Sequence, residues 1–123
     1  MKQSLQKSYL LKNKRDIRKL FDNGQWIKGK YYTIVFMASK KTLFLFTSSK
    51  YNTGAVDRNK KKRLSREIIR KIKYNLDSGQ YAFILGRLPK NDMQKRLQAD
   101  IYDLLISNKL MSLVNTDPLP LKL

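Results

Sequence analysis

The organisation of this chain is set by one stretch, Arg58-Asn59-Lys60-Lys61-Lys62-Arg63-Leu64-Ser65-Arg66-Glu67-Ile68-Ile69-Arg70-Lys71-Ile72-Lys73. Its apolar residues recur at the spacing of a single helical stripe: Leu64, Ile68, Ile69, Ile72 and Leu76. Polar and basic residues follow the same period on the other side: Asn59, Arg63, Arg66 and Arg70. The spacing predicts a helix from about residue 53 to 76, with one face on a core and a cationic face outward.

The charge of this helix is not balanced. Asp57 and Glu67 are the only acidic residues between positions 57 and 73. Like charges four residues apart repel on a helix surface, as Lys62 and Arg66 must. The lopsided charge therefore indicates an anionic partner rather than an ordinary solvated helix.

The composition fits one small basic domain. The chain has 123 residues, 41% of them hydrophobic, a formal net charge of +18 and a sequence pI near 10.3. We expect a single RNA-binding domain over residues 1–113 and, because Pro118 and Pro120 oppose a helix, an extended tail over 114–123. The surplus of positive charge indicates a polyanionic partner, with nucleic acid as the first candidate and an anionic membrane surface as the second.

Several chemistries are excluded by what the chain lacks. It has no cysteine and no histidine, which excludes disulfides, thiolate zinc sites and every histidine base. Its nine acidic residues are scattered, and Asp100 with Asp103 is expected to be a solvated surface pair. We therefore expect no catalytic residue and no metal site in the protein. Without a signal-like apolar run, the chain is expected in the cytoplasm and not in a membrane.

The remaining pattern predicts an α+β fold. Asn13 is expected to cap a first helix, with Gly24 just beyond its end. Strands are predicted over 30–38 and 42–48, paired as a hairpin through the turn at 39–41, and over 80–86. Residues 91–94 have the form of a capping box before a last helix, which buries Leu97, Ile101, Leu104 and Leu105.

Arginine suits RNA because its planar fork grips phosphate and stacks on bases. A helix cannot read bases in the deep, narrow major groove of A-form RNA, so a backbone-reading role on folded RNA is favoured. Aromatic residues near the strands can in addition stack single-stranded bases, and tyrosines suit this better than phenylalanines because they tolerate a half-wet face.

The central stretch resembles the signature of the bacterial ribonuclease P protein subunit. Arg58-Asn59-Lys60-x-Lys62-Arg63-Leu64-x-Arg66-Glu67 is similar to Arg-Asn-Arg-x-Lys-Arg-Leu-x-Arg-Glu in that family. Upstream, residues 17–24 are similar to Phe-x-x-Val-Phe-x-x-Gly, and Ser49-Lys50 stands where the family has Ser-Lys-Lys. Downstream, Gly86-Arg87 resembles an Ala-Arg element.

The resemblance implies a fold and a function. The fold would be αβββαβα, a mixed sheet of about four strands with three helices and a left-handed βαβ crossover. The protein would bind the catalytic ribonuclease P RNA and the 5′ leader of precursor tRNA, and would promote endonucleolytic removal of that leader. The chemistry would belong to the RNA and to magnesium bound mainly by the RNA, with no obligate protein partner.

The resemblance also implies two sets of site residues. The first would contact the catalytic RNA: Arg58, Asn59, Lys60, Lys62, Arg63, Arg66 and Arg70. The second would line the leader cleft: Phe21, Val35 or Phe36, Ser49, Lys50 and Arg87.

Two other functions share the same charge and build. One is a ribosomal protein or another protein that binds structured RNA, and cleavage of precursor tRNA with the cognate RNA at low magnesium would distinguish it. The other is a nucleoid or membrane-surface protein, for which duplex DNA or anionic vesicles would compete as strongly as folded RNA.

Overall fold

The structure is a computed structural model that describes residues 7–48 and 55–111. Three helices and four strands follow one another in the predicted αβββαβα order. They are α1 (Lys14–Asn23), β1 (Gln25–Lys28), β2 (Tyr32–Ala38), β3 (Leu43–Ser48), α2 (Ala55–Ile72), β4 (Gly79–Leu85) and α3 (Met93–Ser107). Short 3-10 turns cover Lys7–Tyr9 and Lys73–Asn75. The basic helix is therefore α-helical only to Ile72, and Leu76 lies beyond it.

The four strands form one mixed sheet in the order β1-β2-β4-β3. β2 is antiparallel to both β1 and β4, whereas β3 runs parallel to β4. Ala82 in β4 is opposite Val35 on one side and Leu45 on the other. β3, α2 and β4 thus form a βαβ crossover between parallel neighbours, and its left-handed sense stays a prediction.

The predicted hairpin between the second and third strands is wrong. β4 lies between β2 and β3 and pairs with both. Its buried residues face both sides of the sheet, Tyr81, Phe83 and Leu85 on one and Ala82 on the other. A strand that is apolar on both faces is stabilised by a central position, and this outweighs the short turn that joins β2 to β3.

The two faces of the sheet carry different helices. α2 and α3 cover the first face and form the main core with it, which includes Tyr32, Ile34, Phe44, Phe46, Phe83, Ile68, Ile69, Ile72, Leu97, Ile101 and Leu105. α1 covers the second face, where Leu20 packs with Leu11, Val35 and Ala82. We call these the α2/α3 face and the α1 face. The four apolar residues predicted for α3 are all buried.

The first helix begins where predicted. The Asn13 side chain accepts hydrogen bonds from the amides of Arg15 and Asp16, at 2.8 and 3.2 Å. Gly24 ends α1 in an extended conformation, with φ −76° and ψ 168°. A Cβ at this position would lie 2.6 Å from the Leu20 carbonyl oxygen and 2.9 Å from Val35. Glycine is therefore needed here for close packing of the helix end on β2.

The capping box predicted at 91–94 is wrong. Asp92 precedes α3 in the left-handed conformation, with φ 50° and ψ 45°, and its side chain makes no capping hydrogen bond. The register of α3 is fixed further along, at Asp100.

Asp100 holds the turn between β1 and β2. Its carboxylate accepts hydrogen bonds from the amides of Lys30, Tyr31 and Tyr32, at 3.0, 2.9 and 2.9 Å. The expectation of a solvated pair is wrong for Asp100, which is half-buried, while Asp103 is exposed. Consecutive amides that converge on one point attract an anion, and here the protein supplies its own.

Candidate RNA interface

The outer face of α2 presents a row of polar and cationic side chains to solvent. Asn59, Lys60, Arg63 and Arg66 are exposed, and Lys62 is half-buried beside them. On the opposite side Ile68, Ile69 and Ile72 are at most 1% exposed. The helix therefore has the two faces that its sequence predicts. Within the described part of the chain, Arg63 and Arg66 have no ion-pair partner, so their guanidinium groups face solvent without a protein carboxylate.

Arg70 departs from this row. Its guanidinium Nη2 lies 2.8 Å from the Glu67 carboxylate, and its side chain is only 20% exposed. The hydrogen bond from Arg70 lowers the pKa of Glu67 below its ordinary value, assisted by the nearby charges of Arg70 and Lys71. The Arg70 charge is thus compensated inside the protein, and the open part of the row ends at Arg66.

Lys61 points the other way and is a functional position that the sequence pattern missed. It is 5% exposed, and its Nζ donates a 2.7 Å hydrogen bond to the Gly86 carbonyl oxygen. One turn later the Ser65 hydroxyl donates to the Lys61 carbonyl and is 2.6 Å from the Tyr32 hydroxyl. These contacts fix α2 to the ends of β4 and β2. The helical spacing of the sequence does indicate this inward position, because Lys61 and Ser65 lie on the same side of the helix as Ile68 and Ile72.

The buried end of this network has no access to solvent. Burial raises the pKa of the Tyr32 hydroxyl well above its ordinary value, so Tyr32 stays neutral throughout the physiological range. We infer that the network positions the cationic row.

Three predicted site residues lie outside what the structure describes. Ser49 and Lys50 fall in the gap between β3 and α2. Arg58 lies in the first turns of α2, where only the backbone is described. Arg58 directly precedes Asn59, whereas Ser49 and Lys50 directly follow β3 in sequence. The roles of all three stay predictions.

The proposed leader-cleft residues do not all share one surface. Phe21 is half-buried on α1, and its ring centroid is 5.7 Å from that of Trp26. Val35 lies on the same face but is fully buried, and Phe36 lies on the α2/α3 face with its ring 4.8 Å from Tyr81. Because neighbouring residues of a strand point to opposite faces, only one of the pair can share a side with Phe21. The residue that does, Val35, is inaccessible.

Trp26 is an exposed aromatic residue on the same face of the sheet as the buried Val35. It is directly opposite Val35 in the sheet, is 55% exposed, and donates from its indole Nε1 to the Phe21 carbonyl oxygen at 3.1 Å. The sequence analysis did not assign it, because the four-residue strand β1 that places it is too short to recognise from its pattern.

A cleft of about 420 Å³ lies at the Tyr32–Leu85 end of the β2–β4 pair. Lys28, Thr33 and Ile84 form a cross-strand row on the α1 face and lead into it. Its lining comprises Lys28, Gly29, Lys30, Tyr31, Tyr32, Thr33, Ile84, Gly86 and Arg87. Arg87 lines this cleft together with the further cations Lys28 and Lys30, and its role toward the leader stays a prediction.

The described residues contain no group of three or more acidic side chains that could hold a metal ion. None of the helices in the described ranges combines the length and the apolar character needed to cross a bilayer.

Comparison with known proteins identifies relatives by family and by fold. The family model for ribonuclease P matches residues 5–107. No curated protein matches the chain.

Solved structures of ribonuclease P proteins share the fold. A mutant of the Staphylococcus aureus RNase P protein with defective mRNA degradation activity is 20% identical to this chain, with a TM-score of 0.76. The match covers 85% of this chain and 92% of the mutant protein. The S. aureus RNase P protein is 23% identical with a TM-score of 0.73, covering 86% and 100%. The Thermotoga maritima protein is 22% identical with a TM-score of 0.66, covering 78% and 94%.

Proposed function

The chain belongs to the ribonuclease P protein family, and from that membership we propose how its two surfaces are used. It is a protein subunit of ribonuclease P, an endoribonuclease ribonucleoprotein of tRNA processing, and its partner is the ribonuclease P RNA. This excludes the ribosomal-protein alternative. The proposal concerns the residues that meet the RNA, the substrate, and the place of magnesium, in a complex that we assign to the cytoplasm.

The outer face of α2 binds the catalytic RNA. The observation that carries this assignment is the exposed row Asn59, Lys60, Arg63 and Arg66 on a helix whose other face is buried. A helix fixed to the sheet by Lys61 and Ser65 presents its cations in one geometry, which reduces the ordering cost of binding. Arg58 and Lys62 extend the surface, while Arg70, paired with Glu67, contributes less.

The α1 face holds the single-stranded 5′ leader of precursor tRNA. Phe21 and Trp26 offer ring faces for unpaired bases, and stacking on an aromatic side chain contributes about 1–3 kcal/mol per base. Lys28 and Arg87, which line the cleft at one end of the sheet, meet the phosphates, and we assign Ser49 and Lys50 to the leader on the family resemblance alone. Because Val35 is buried and Phe36 faces the other core, neither is included as a contact.

The protein contributes position and charge, and the RNA contributes the reaction. Magnesium, which we assign mainly to the RNA, would supply the activation of water for hydrolysis. The cations of α2 neutralise phosphates of the RNA, so the catalytic RNA and the substrate repel each other less and can approach. Because the protein binds the leader, the scissile phosphate is held in position although no protein group contacts that phosphate.

Replacement of Arg66 tests the α2 assignment. Arg66→Ala is expected to weaken binding to the cognate ribonuclease P RNA about tenfold, and to lower the slope of log affinity against log salt by about 1. Lys71→Ala is the matched control, because Lys71 is also exposed on α2 but lies five residues beyond Arg66, where the open part of the row ends. Affinity would be measured by filter binding over a salt series, with cleavage of precursor tRNA at low magnesium alongside.

The comparison of the two variants decides the matter. Equal losses for Arg66→Ala and Lys71→Ala would mean that the RNA responds to net charge alone, and would overturn the assignment of a defined row. Cleavage by the RNA that is equally fast without the protein would overturn the accessory role itself.

A further inference from the structure

A second aromatic and cationic surface lies at the opposite end of the sheet from the cleft. Tyr9, Tyr74, Lys40, Lys41 and Lys73 surround a depression of about 530 Å³, and none of its lining residues is acidic. We call it the Tyr9/Tyr74 site. It lies near the Ala38–Gly79 end of the β2–β4 pair, whereas the cleft is at the Tyr32–Leu85 end.

The site is preorganised around one exposed ring. Tyr74 is 80% exposed, and the Lys73 ammonium lies 4.7 Å from its ring centroid and 5.1 Å from that of Tyr9. The two hydroxyls are 3.5 Å apart. Tyr9 is anchored in turn on the buried Phe44, with ring centroids 6.4 Å apart. A single lysine thus holds both rings, and one of them stands on the core.

The lysines of the turn are also fixed in place. The Ser78 hydroxyl donates to the Ser39 and Lys40 carbonyl oxygens, at 2.6 and 3.0 Å. These contacts tie the β2–β3 turn, and with it Lys40 and Lys41, to the segment before β4. Both lysine side chains are exposed.

We propose that the Tyr9/Tyr74 site binds one unpaired nucleotide of single-stranded RNA, with the base stacked on Tyr74 and the adjoining phosphates on Lys40 and Lys41. A large ring left 80% exposed adds little to the core, yet its face is available for a base. The surrounding cations select an anion, and the ring selects one with a planar face. An acidic peptide would satisfy the lysines but would leave the ring unused.

This site is separate from the two surfaces described above. α2 begins near the cleft, where Lys61 meets Gly86, and Tyr74 lies just beyond its other end. The rise of a helix places Tyr74 roughly 12 Å past Arg66. The proposal does not depend on the roles given to α2 or to the α1 face.

Two measurements on the full chain test it. The first is the affinity for labelled octauridylate and for an abasic octamer of the same length, measured with Phe21→Leu and Trp26→Ala also in place so that the α1 face does not supply a second stacking site. Tyr74→Ala is expected to weaken octauridylate binding about fivefold or more and to leave the abasic octamer unchanged, while Tyr74→Phe stays within about twofold of the wild type. Lys40→Gln combined with Lys41→Gln is expected to weaken both octamers. The second is cross-linking of 5-iodouridine RNA, expected at Tyr74 or Tyr9.

Four results would overturn the proposal. They are an unchanged octauridylate affinity in Tyr74→Ala, an equal loss for the abasic octamer, unchanged binding of both octamers by the double lysine variant, and cross-links confined to α1, β1 or α2. Displacement of the RNA by polyglutamate at equal charge concentration would assign the site to acidic peptides instead. Melting curves of the variants confirm that each is folded.

Discussion

At the scale of single residues, Asp100 and Lys61 show that position in the fold decides what a charge does. Asp100 is one of nine acidic residues in a chain with 27 basic ones, yet its carboxylate binds three backbone amides. Lys61 belongs to the most basic stretch of the chain, yet it is buried and binds a carbonyl oxygen. Both charges stabilise the protein, so neither is available to RNA.

Replacement of Asp100 should therefore lower stability. Asp100→Ala leaves three amides without their acceptor and is expected to reduce the free energy of unfolding by about 2–3 kcal/mol, which lowers the melting midpoint by about 5–15 °C. Asp103→Ala, which removes an exposed acid from the same helix, should change the free energy of unfolding by less than about 0.5 kcal/mol. Equal effects in thermal melts would show that the three hydrogen bonds add nothing.

At the scale of elements, α2 separates folding from binding on its two sides. Ile68, Ile69 and Ile72 are packed in the main core, while Arg63 and Arg66 are exposed. Stability and RNA affinity should consequently respond to different substitutions in the same helix. The like charges along the outer face oppose folding slightly, because they repel one another at helical spacing.

Truncation on each side of α2 measures this separation. Ile68→Ala should reduce the free energy of unfolding by about 2–5 kcal/mol, and the milder Ile68→Val by about 0.5–1.5 kcal/mol. Arg66→Ala should change it by less than about 0.5 kcal/mol in either direction, as measured by urea denaturation. A loss in Arg66→Ala comparable to that in Ile68→Ala would place Arg66 in the core and contradict the assignment.

The same elements show how far the sequence could be interpreted. The apolar stripes of α2 and α3 and the Asn13 cap follow from local spacing, and the structure confirms them. The αβββαβα order follows from the family resemblance and is also confirmed. The hairpin is wrong because strand partners are chosen by burial across the whole sheet, and a local turn carries no information on β4.

The candidate site was predictable to a similar degree. The helical period placed Arg63 and Arg66 outward, and it would have placed Lys61 inward had its angular position been considered. The pairing of Asp100 with a turn about 70 residues earlier has no local signal at all. Neither does the exposure of Trp26, which depends on the register of β1 against β2.

At the scale of the whole molecule, the two surfaces that we propose for RNA lie on opposite sides of one sheet. α2 packs on one face through the main core, and Phe21 and Trp26 lie on the other face with α1. Substitutions on the two sides should therefore act independently, because distant sites without shared partners usually add.

Phe21 provides the test of that independence. Phe21→Leu keeps an apolar side chain on α1 but removes the ring, so the preference of the holoenzyme for precursor over mature tRNA should fall about fivefold or more. Affinity for the ribonuclease P RNA should stay within about twofold. In combination with Arg66→Ala the effects should add within about 0.5 kcal/mol.

The control for this experiment is the mature tRNA itself. Equal losses for precursor and mature tRNA would mean that Phe21 does not contact the leader. A binding defect toward the ribonuclease P RNA alone would assign Phe21 to the other surface.

The central place of β4 has a consequence during synthesis. β2 and β3 both pair with β4, which ends at Leu85. The four-stranded sheet therefore cannot form until Leu85 has left the ribosome. Until then β3 has no strand partner and the basic helix lacks its contact with the end of β4, while both are within reach of ribosomal RNA. Because β4 is synthesised after β2 and β3, we expect this domain to fold in a nearly all-or-none step, without a stable half-folded form.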